Sequence, residues 1–234
     1  MTDRDRSRRI RSYVLRTGRT TPVQRRALEE HWQRWGLEYD GRELAYEAAF
    51  GRKGPLVLEV GFGMGQSLVA MAQDRPDTNF IGIEVHKPGV GKLLHSMAER
   101  GVDNIRIYCH DAVDILRDCI PDDSLDAVQI YFPDPWHKKR HNKRRLIQPS
   151  FVALLTRKLK NGGMLHLATD WEDYAQQMMH VLSASDGLSN VSGYGLFAVR
   201  PENRPVTKFE MRGERLGHGV WDLVFFRNNN TTPR

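Results

Sequence analysis

Residues 56–66 read LVLEVGFGMGQ, an apolar run followed by three glycines at alternate positions. The run is typical of a buried strand, and the glycines let the backbone approach a ligand that a Cβ atom would exclude. A nicotinamide-type fingerprint, G-x-G-x-x-G, would need a third glycine at position 66, where this chain has Gln66. The stretch therefore predicts a strand–turn–helix unit that holds a ligand other than a dinucleotide.

The same alternation of short apolar runs and amphipathic stretches continues along the chain. It predicts strands at 56–60, 80–84, 105–108, 127–132 and 164–168, and helices at 66–73, 91–100, 112–119 and 150–159. Residues 220–227 predict one more strand at or near the sheet edge. This order indicates an α/β fold with a doubly wound, mainly parallel sheet and helices on both faces.

The N-terminal region differs in composition from the rest. Residues 1–26 contain nine arginines against two aspartates, while the whole chain has a net charge of +6. Thr21 followed by Pro22 predicts the start of a helix that ends at Gly36. We therefore divide the chain into a basic arm (residues 1–20) with its adapter helix, together 1–35, and a single domain at 36–234. A basic arm suits a phosphate polymer, although a solvated tail has the same composition.

Cysteine content and hydropathy predict a cytoplasmic protein. Cys109 and Cys119 are the only cysteines and form no paired framework. No apolar run is long enough to span a bilayer, and the first residues lack the apolar stretch of a signal peptide. An arginine-rich start can also resemble an organelle transit segment, but Asp3 and Asp5 argue against it.

Acidic residues follow the strand ends at which α/β folds bind ligands. Glu59 lies inside an apolar strand, where an unpaired carboxylate is costly unless a cation or backbone N–H groups satisfy it. S-adenosylmethionine (SAM) carries an ammonium and a sulfonium group, and so offers such a cation. Glu84 is placed to accept ribose hydroxyls. Asp111 could accept from an adenine amino group while the N–H of Ala112 meets the ring, and it is equally suited to cap a helix.

A stiff turn and a run of cations follow the fourth strand. We name residues 132–136, Phe-Pro-Asp-Pro-Trp, the reaction turn. Phe132 and Asp134 each precede a proline, which predicts extended backbone at both and a stiff turn that holds Asp134 beside the predicted cofactor. A purely structural turn is the alternative. The basic segment, residues 138–145, then places six cations in eight positions, which favours contact with an RNA backbone. Its cations are Lys138, Lys139, Arg140, Lys143, Arg144 and Arg145.

These motifs together resemble the bacterial tRNA (guanine-N7)-methyltransferases of the TrmB type. The resemblance rests on residues 59–65, 82–91, 132–141, 168–170 and 207–210. It implies a Rossmann-like class I SAM methyltransferase fold, SAM as cofactor and tRNA as substrate, with the variable-loop guanosine at position 46 as the target. The implied cofactor site comprises Glu59, Gly61, Gly63, Gly65, Glu84, Asp111, Ala112 and Asp134, and Asp134 is also the catalytic candidate. The implied substrate contacts are Lys138, Asp170, Thr207, Lys208, Phe209 and Glu210, joined by the cations of the basic segment.

Several alternatives stay open. Asp170 is also a candidate helix N-cap, and Thr207 with Glu210 has the spacing of a capping box. His137 and His141 have i,i+4 spacing, but no carboxylate or cysteine completes a metal site, so we expect none. A methyltransferase acting on an exocyclic amine of another nucleic acid, or a non-catalytic RNA-binding subunit, would share the fold. We expect a monomer, with a dimer as the alternative.

Overall fold

The computed structural model describes residues 11–14, 18–202, 204–205, 210 and 219–228. Its strands are β1 (Gly36–Leu37), β2 (Leu56–Val60), β3 (Asn79–Ile83), β4 (Ile105–Tyr108), β5 (Leu125–Tyr131), β6 (Leu159–Thr169), β7 (Leu188–Asn190) and β8 (Trp221–Arg227). Its α-helices are α1 (Pro22–Trp35), α2 (Tyr46–Phe50), α3 (Gln66–Asp74), α4 (Lys87–Arg100), α5 (Ala112–Asp118), α6 (Pro149–Lys158) and α7 (Glu172–Ser183). A 3₁₀ helix covers Lys139–Arg144.

The strands form one sheet in the order β1-β4-β3-β2-β5-β6-β8-β7. β1 to β6 pair in parallel, and β8 runs antiparallel to both β6 and β7. The strand order reverses at β2, which lies between β3 and β5. In open α/β sheets, ligands bind outside the carboxyl ends of the strands at this point, and residues 61–65 follow the carboxyl end of β2.

Helices cover both faces of the sheet and bury two apolar clusters. One cluster includes residues of α1, α3 and α4, for example Trp35, Leu68 and Leu94. The other includes residues of α5, α6 and α7, for example Ile115 and Leu155. The predicted doubly wound architecture is confirmed. Among the described residues, no helix is long and apolar enough to cross a membrane.

Two elements begin four or more residues earlier than the sequence predicts. α4 begins at Lys87 rather than at 91, because Pro88 fits a first helical turn and the glycines after it allow close packing. A Cβ atom at Gly91 would lie 2.6 Å from the carbonyl oxygen of Gln24 in α1. β6 already begins at Leu159 rather than at 164, and the pair at Gly162 and Gly163 forms an irregularity within the strand rather than a loop before it.

Four short or peripheral elements lie outside the predicted set: β1, α2, α7 and β7. Three of them have five residues or fewer, so periodicity has too few positions in which to appear. α7 is longer, and the sequence indicates it only through a possible helix start near Asp170. The predicted C-terminal strand is β8, one position inside the sheet edge.

Candidate active site

A cleft of about 780 Å³ opens at the carboxyl ends of β2 to β5. Its volume is in the range of small-molecule sites. It is lined by five of the eight predicted cofactor positions: Gly61, Glu84, Asp111, Ala112 and Asp134. The fold thus brings together residues that are up to 73 positions apart in the sequence.

Glu59 lies beneath the cleft in β2, with only 4% of its surface exposed. Its Oε2 has no hydrogen-bond partner among the described residues. Burial, followed by the charge of Glu84, raises the pKa of this carboxyl to about 8. A buried acceptor that has no partner of its own fits a cationic ligand, and the ammonium of SAM is such a group.

Glu84 holds the glycine-rich turn rather than pointing freely into the cleft. Its Oε2 accepts from the backbone N–H of Gly63 at 2.9 Å, and Oε1 accepts from Val85 and His86 at 2.8 and 3.0 Å. A carboxylate has about four acceptor positions, so one remains for a ribose hydroxyl. Gly63 and Gly65 have φ angles of 57° and 73°, which glycine adopts without strain.

Asp111 caps α5, accepting from the backbone N–H of Val113 at 2.9 Å. The capping role is therefore present, and the side chain also reaches the cleft. The hydroxyl of Tyr13, in the arm, hydrogen-bonds to Asp111; burial, followed by the charge of Asp111, raises the pKa of Tyr13. The acceptor that the sequence assigns to adenine is thus shared with the arm.

Asp134 is exposed at the cleft, in the middle of the reaction turn. The flanking residues Phe132 and Trp136 have φ angles of 52° and 47°, which are uncommon for aromatic residues. The prediction of extended backbone at Phe132 is therefore wrong. The backbone N–H of Phe132 donates to Ala168 of β6 at 2.8 Å. Two contacts hold Trp136 in place. Its Nε1 donates to the carbonyl of Ser12 at 2.9 Å, and the guanidinium of Arg144 lies 4.0 Å from its ring centre.

The basic segment divides into exposed and buried cations. Lys138, Lys139, Arg140 and Lys143 are exposed, and Arg144 is half-buried against Trp136. Arg145 has a side chain that is only 1% exposed, and it lies under the reaction turn. His137 packs edge-on against Trp171, and His141 packs against Trp136. The two histidines therefore contact different partners. Within the described ranges, no group of three potential metal ligands occurs.

The remaining predicted substrate residues lie on two segments. Asp170 follows β6, but the N-cap of α7 is Trp171 and makes no side-chain cap bond, so the capping interpretation of Asp170 is wrong. Thr207, Lys208 and Phe209 lie outside the described residues. Glu210 is buried, and its two oxygens each accept from the guanidinium of Arg204 at 2.8 Å.

A buried polar network that the sequence analysis does not include extends from Glu210 to the strand before the reaction turn. Arg204 also binds Asp222 at 2.8 Å, Asp222 lies 2.7 Å from Nε2 of His166, and Nδ1 of His166 lies 3.0 Å from the hydroxyl of Tyr131. An acid inside the predicted strand at 220–227 is the same signal that drew attention to Glu59. It could have identified Asp222.

Comparison with known proteins agrees with this geometry. Residues 53–223 match a family model described as "Putative methyltransferase". The tRNA (guanine-N(7)-)-methyltransferase of Alcanivorax borkumensis is 60% identical over 218 residues, covering 93% of this chain and 91% of the relative. The chain belongs to the tRNA (guanine-N(7)-)-methyltransferase family. The enzyme of the same name from Shewanella amazonensis is 56% identical over 220 residues, covering 94% and 92%.

Solved structures of other methyltransferases have a similar fold at low sequence identity. The 16S rRNA methyltransferase KamB has a TM-score of 0.58 at 14% identity, covering 78% of this chain and 92% of that one. A 30S ribosomal A1408 methyltransferase from an uncultured bacterium has a TM-score of 0.51 at 13% identity, covering 82% and 95%. These likenesses concern the fold alone. The predicted family and the predicted Rossmann-like class I SAM methyltransferase fold are confirmed.

Proposed function

We propose that the chain transfers the methyl group of SAM to N7 of a guanine in tRNA, with Asp134 as the residue that meets the guanine. Family membership supports this activity, because the chain is a SAM-dependent methyltransferase whose relatives are named for this reaction. The observation that supports the residue assignment is the position of Asp134, exposed on the cleft that Glu84 and Asp111 also line. The target loop, and position 46 within it, rest on the resemblance.

The cofactor-binding side of the cleft is assigned to the acidic residues and the glycine turn. SAM supplies an electrophilic methyl carbon attached to its sulfonium. Glu59 would pair with the ammonium, because its buried Oε2 lacks a partner among the described residues. Glu84 would accept from the ribose, and Asp111 with the N–H of Ala112 would meet the adenine. Gly61, Gly63 and Gly65 keep the turn open beside them.

Asp134 need not act as a general base. Neutral guanine carries no proton on N7, so its lone pair can attack the methyl carbon directly. We assign Asp134 two compatible tasks: it accepts from the N–H groups of the Watson–Crick edge, and it stabilises the positive charge that develops on the ring. Its exposure allows it to reach a base that has left its stack.

The RNA backbone is assigned to the exposed part of the basic segment. Lys138, Arg140 and Lys143 are exposed next to the reaction turn, and Arg144 lies beside them. Phosphates held there would place a nearby base within reach of Asp134. Asp170, at the end of the neighbouring strand β6, and residues 207–209 stay proposed substrate contacts. Glu210 is buried and both its oxygens bind Arg204, so we do not assign it to the substrate.

The test combines product identity with one substitution. Purified protein is incubated with methyl-labelled SAM and unmodified tRNA, and the nucleosides are identified by mass spectrometry. We expect 7-methylguanosine from the wild type, and a kcat at least about 100-fold lower for Asp134→Asn, the scale of removing one transition-state contact. Cofactor binding should persist in the variant, since Glu59 and Glu84 are unchanged.

Asp186→Asn is the matched control. Asp186 is an exposed carboxylate that follows the far end of α7, so this variant should keep wild-type turnover. Full turnover by Asp134→Asn would refute its role. A product methylated on an exocyclic amine would favour the rival enzyme class, and cofactor binding without any product would favour a non-catalytic subunit.

We also propose that the protein acts in the cytoplasm as a monomer, with an arm and adapter helix at 1–35 and the catalytic domain at 36–234. The tRNA substrate and the free thiols of Cys109 and Cys119 support a reducing compartment. Light scattering after size-exclusion chromatography tests the monomer, and a mass near 54 kDa, twice the chain mass of 27.0 kDa, would indicate the dimer.

A further inference from the structure

Arg145 is the last cation of the basic segment, but its contacts differ from those of its neighbours. Its Nε donates to the carbonyl of Pro135 in the reaction turn at 2.8 Å. Its Nη1 donates to Gln177 and its Nη2 to Asp173, each at 2.5 Å. The guanidinium also lies 4.8 Å from the ring centre of Tyr174. All three nitrogens of the fork are therefore used inside the protein.

These contacts leave Arg145 unsuited to an RNA phosphate. Its side chain is 1% exposed, whereas Arg140 in the same segment is exposed. Turning Arg145 outwards would break its bonds to Pro135 and Gln177, and these half-buried acceptors would lose their donor, which costs free energy. A planar guanidinium can hold three separate acceptors, and an ammonium cannot reproduce that geometry.

The residues that Arg145 joins belong to the two segments that carry the proposed substrate contacts. Pro135 directly follows Asp134, and Asp173 lies in the first turn of α7, three residues after Asp170. His137 against Trp171, with ring centres 4.2 Å apart, links the same two segments a second time. The spacing between Asp134 and Asp170 thus depends on this pair of links.

We propose that Arg145 is a positioning residue that fixes the reaction turn, and with it Asp134, against the start of α7, and that it is not one of the cations that bind the RNA backbone. The proposal rests on the proposed function, because it concerns the placement of Asp134 for methyl transfer. It replaces the tRNA contact that the charge run alone assigns to Arg145.

Two pairs of variants separate positioning from RNA contact. Arg145→Lys keeps the charge that a phosphate would need but loses the fork, and Arg157→Lys makes the same change at an exposed position of α6, outside the proposed RNA surface. Asp173→Asn removes the carboxylate partner of Arg145, and Glu172→Gln makes the same charge change one residue earlier on the exposed surface. For each variant we would measure kcat at saturating tRNA, and the tRNA dissociation constant at several salt concentrations.

We expect Arg145→Lys and Asp173→Asn to lower kcat by about tenfold or more, a modest part of what a displaced catalytic group can cost. Their tRNA affinity, and the slope of log affinity against log salt, should match those of Arg157→Lys and Glu172→Gln, which should keep wild-type kcat. In the double variant, the fold-decrease in kcat should be smaller than the product of the two separate decreases, because both substitutions break the same link between Arg145 and Asp173.

The opposite pattern would overturn the proposal. If Arg145→Lys and Asp173→Asn keep the kcat of their controls, Arg145 does not position the reaction turn. If Arg145→Ala lowers the salt slope by about one, as loss of a phosphate contact does, Arg145 binds RNA. If Arg145→Lys fails to fold, Asp173→Asn still decides, because the Asp173 side chain is 69% exposed. Absence of 7-methylguanosine from the wild type would instead refute the proposed function.

Discussion

Replacement of Glu59 by glutamine should change the pH dependence of stability in a calculable way. The folded protein holds this carboxyl at a pKa of about 8, against 4.5 for its ordinary value. Between these values the native state binds a proton that the unfolded state has released. The contribution of the Glu59 proton to the free energy of unfolding is therefore fully present below about pH 4.5. It decreases as pH rises and is lost above about pH 8, where the buried carboxyl is charged.

The size of the effect follows from the pKa difference, at 1.36 kcal/mol per unit. Integration predicts that the free energy of unfolding falls by about 3 kcal/mol between pH 5.5 and pH 8.5 through Glu59 alone. Glu59→Gln has no such titration. We therefore expect the wild type without cofactor to lose about 3 kcal/mol more than Glu59→Gln across this range.

Urea unfolding at pH 5.5, 7.0 and 8.5 measures this difference. Glu172→Gln, an exposed carboxylate on α7, controls for the loss of one negative charge and should follow the wild type. In a second series with S-adenosylhomocysteine, which retains the ammonium group, the wild type should be stabilised and Glu59→Gln much less so. Parallel pH profiles for wild type and Glu59→Gln without cofactor would refute the reasoning that burial and the charge of Glu84 hold this carboxyl protonated.

Three further substitutions test other contacts. Tyr13→Phe removes the hydroxyl bound to Asp111. Calorimetry should then show about fivefold tighter S-adenosylhomocysteine binding, the value of one hydrogen bond. Equal or weaker binding would mean that the Tyr13 hydroxyl and the cofactor do not compete for Asp111. Gly89→Ala would place a Cβ atom 2.1 Å from the carbonyl oxygen of Gly63; we expect a lower melting temperature and weak cofactor binding, and a wild-type result in both assays would contradict the close approach. Arg204→Met leaves two buried carboxylates without their cation, which should lower the free energy of unfolding by about 3–5 kcal/mol in urea; a loss under about 1 kcal/mol would mean that they are stabilised otherwise.

The cofactor side of the cleft could be predicted from the sequence because its determinants are local. The glycine turn follows an apolar strand directly, and an acid within such a strand, like Glu59, stands out against its neighbours. Strand ends that are parallel and adjacent bring Glu84 and Asp111 to the same edge once the alternation of elements is recognised. The reaction turn is equally local, since its two prolines restrict the backbone around Asp134.

Which cations of the basic segment are exposed and which are buried could not be predicted in this way. Arg140 and Arg145 belong to one charge run, and only the second is buried. Its partners Asp173 and Gln177 are about 30 positions away, and their approach depends on how α7 packs over the sheet. Glu210 depends in the same way on Arg204. Charge density identifies a basic surface, whereas burial of one member is decided by tertiary contacts.

At residues 11 and 12, the arm contacts the rest of the protein through its backbone. The carbonyl of Ser12 accepts from Trp136, and the carbonyl of Arg11 accepts from Arg144. A carbonyl is present whatever side chain the residue carries, so this docking places little selective constraint on the identities of residues 11 and 12. Mutational tolerance should therefore be high at residues 11 and 12 and low at Trp136 and Arg144. Over evolutionary time, these two positions of the arm can exchange their side chains to suit another set of RNAs while their contacts with the rest of the protein are preserved.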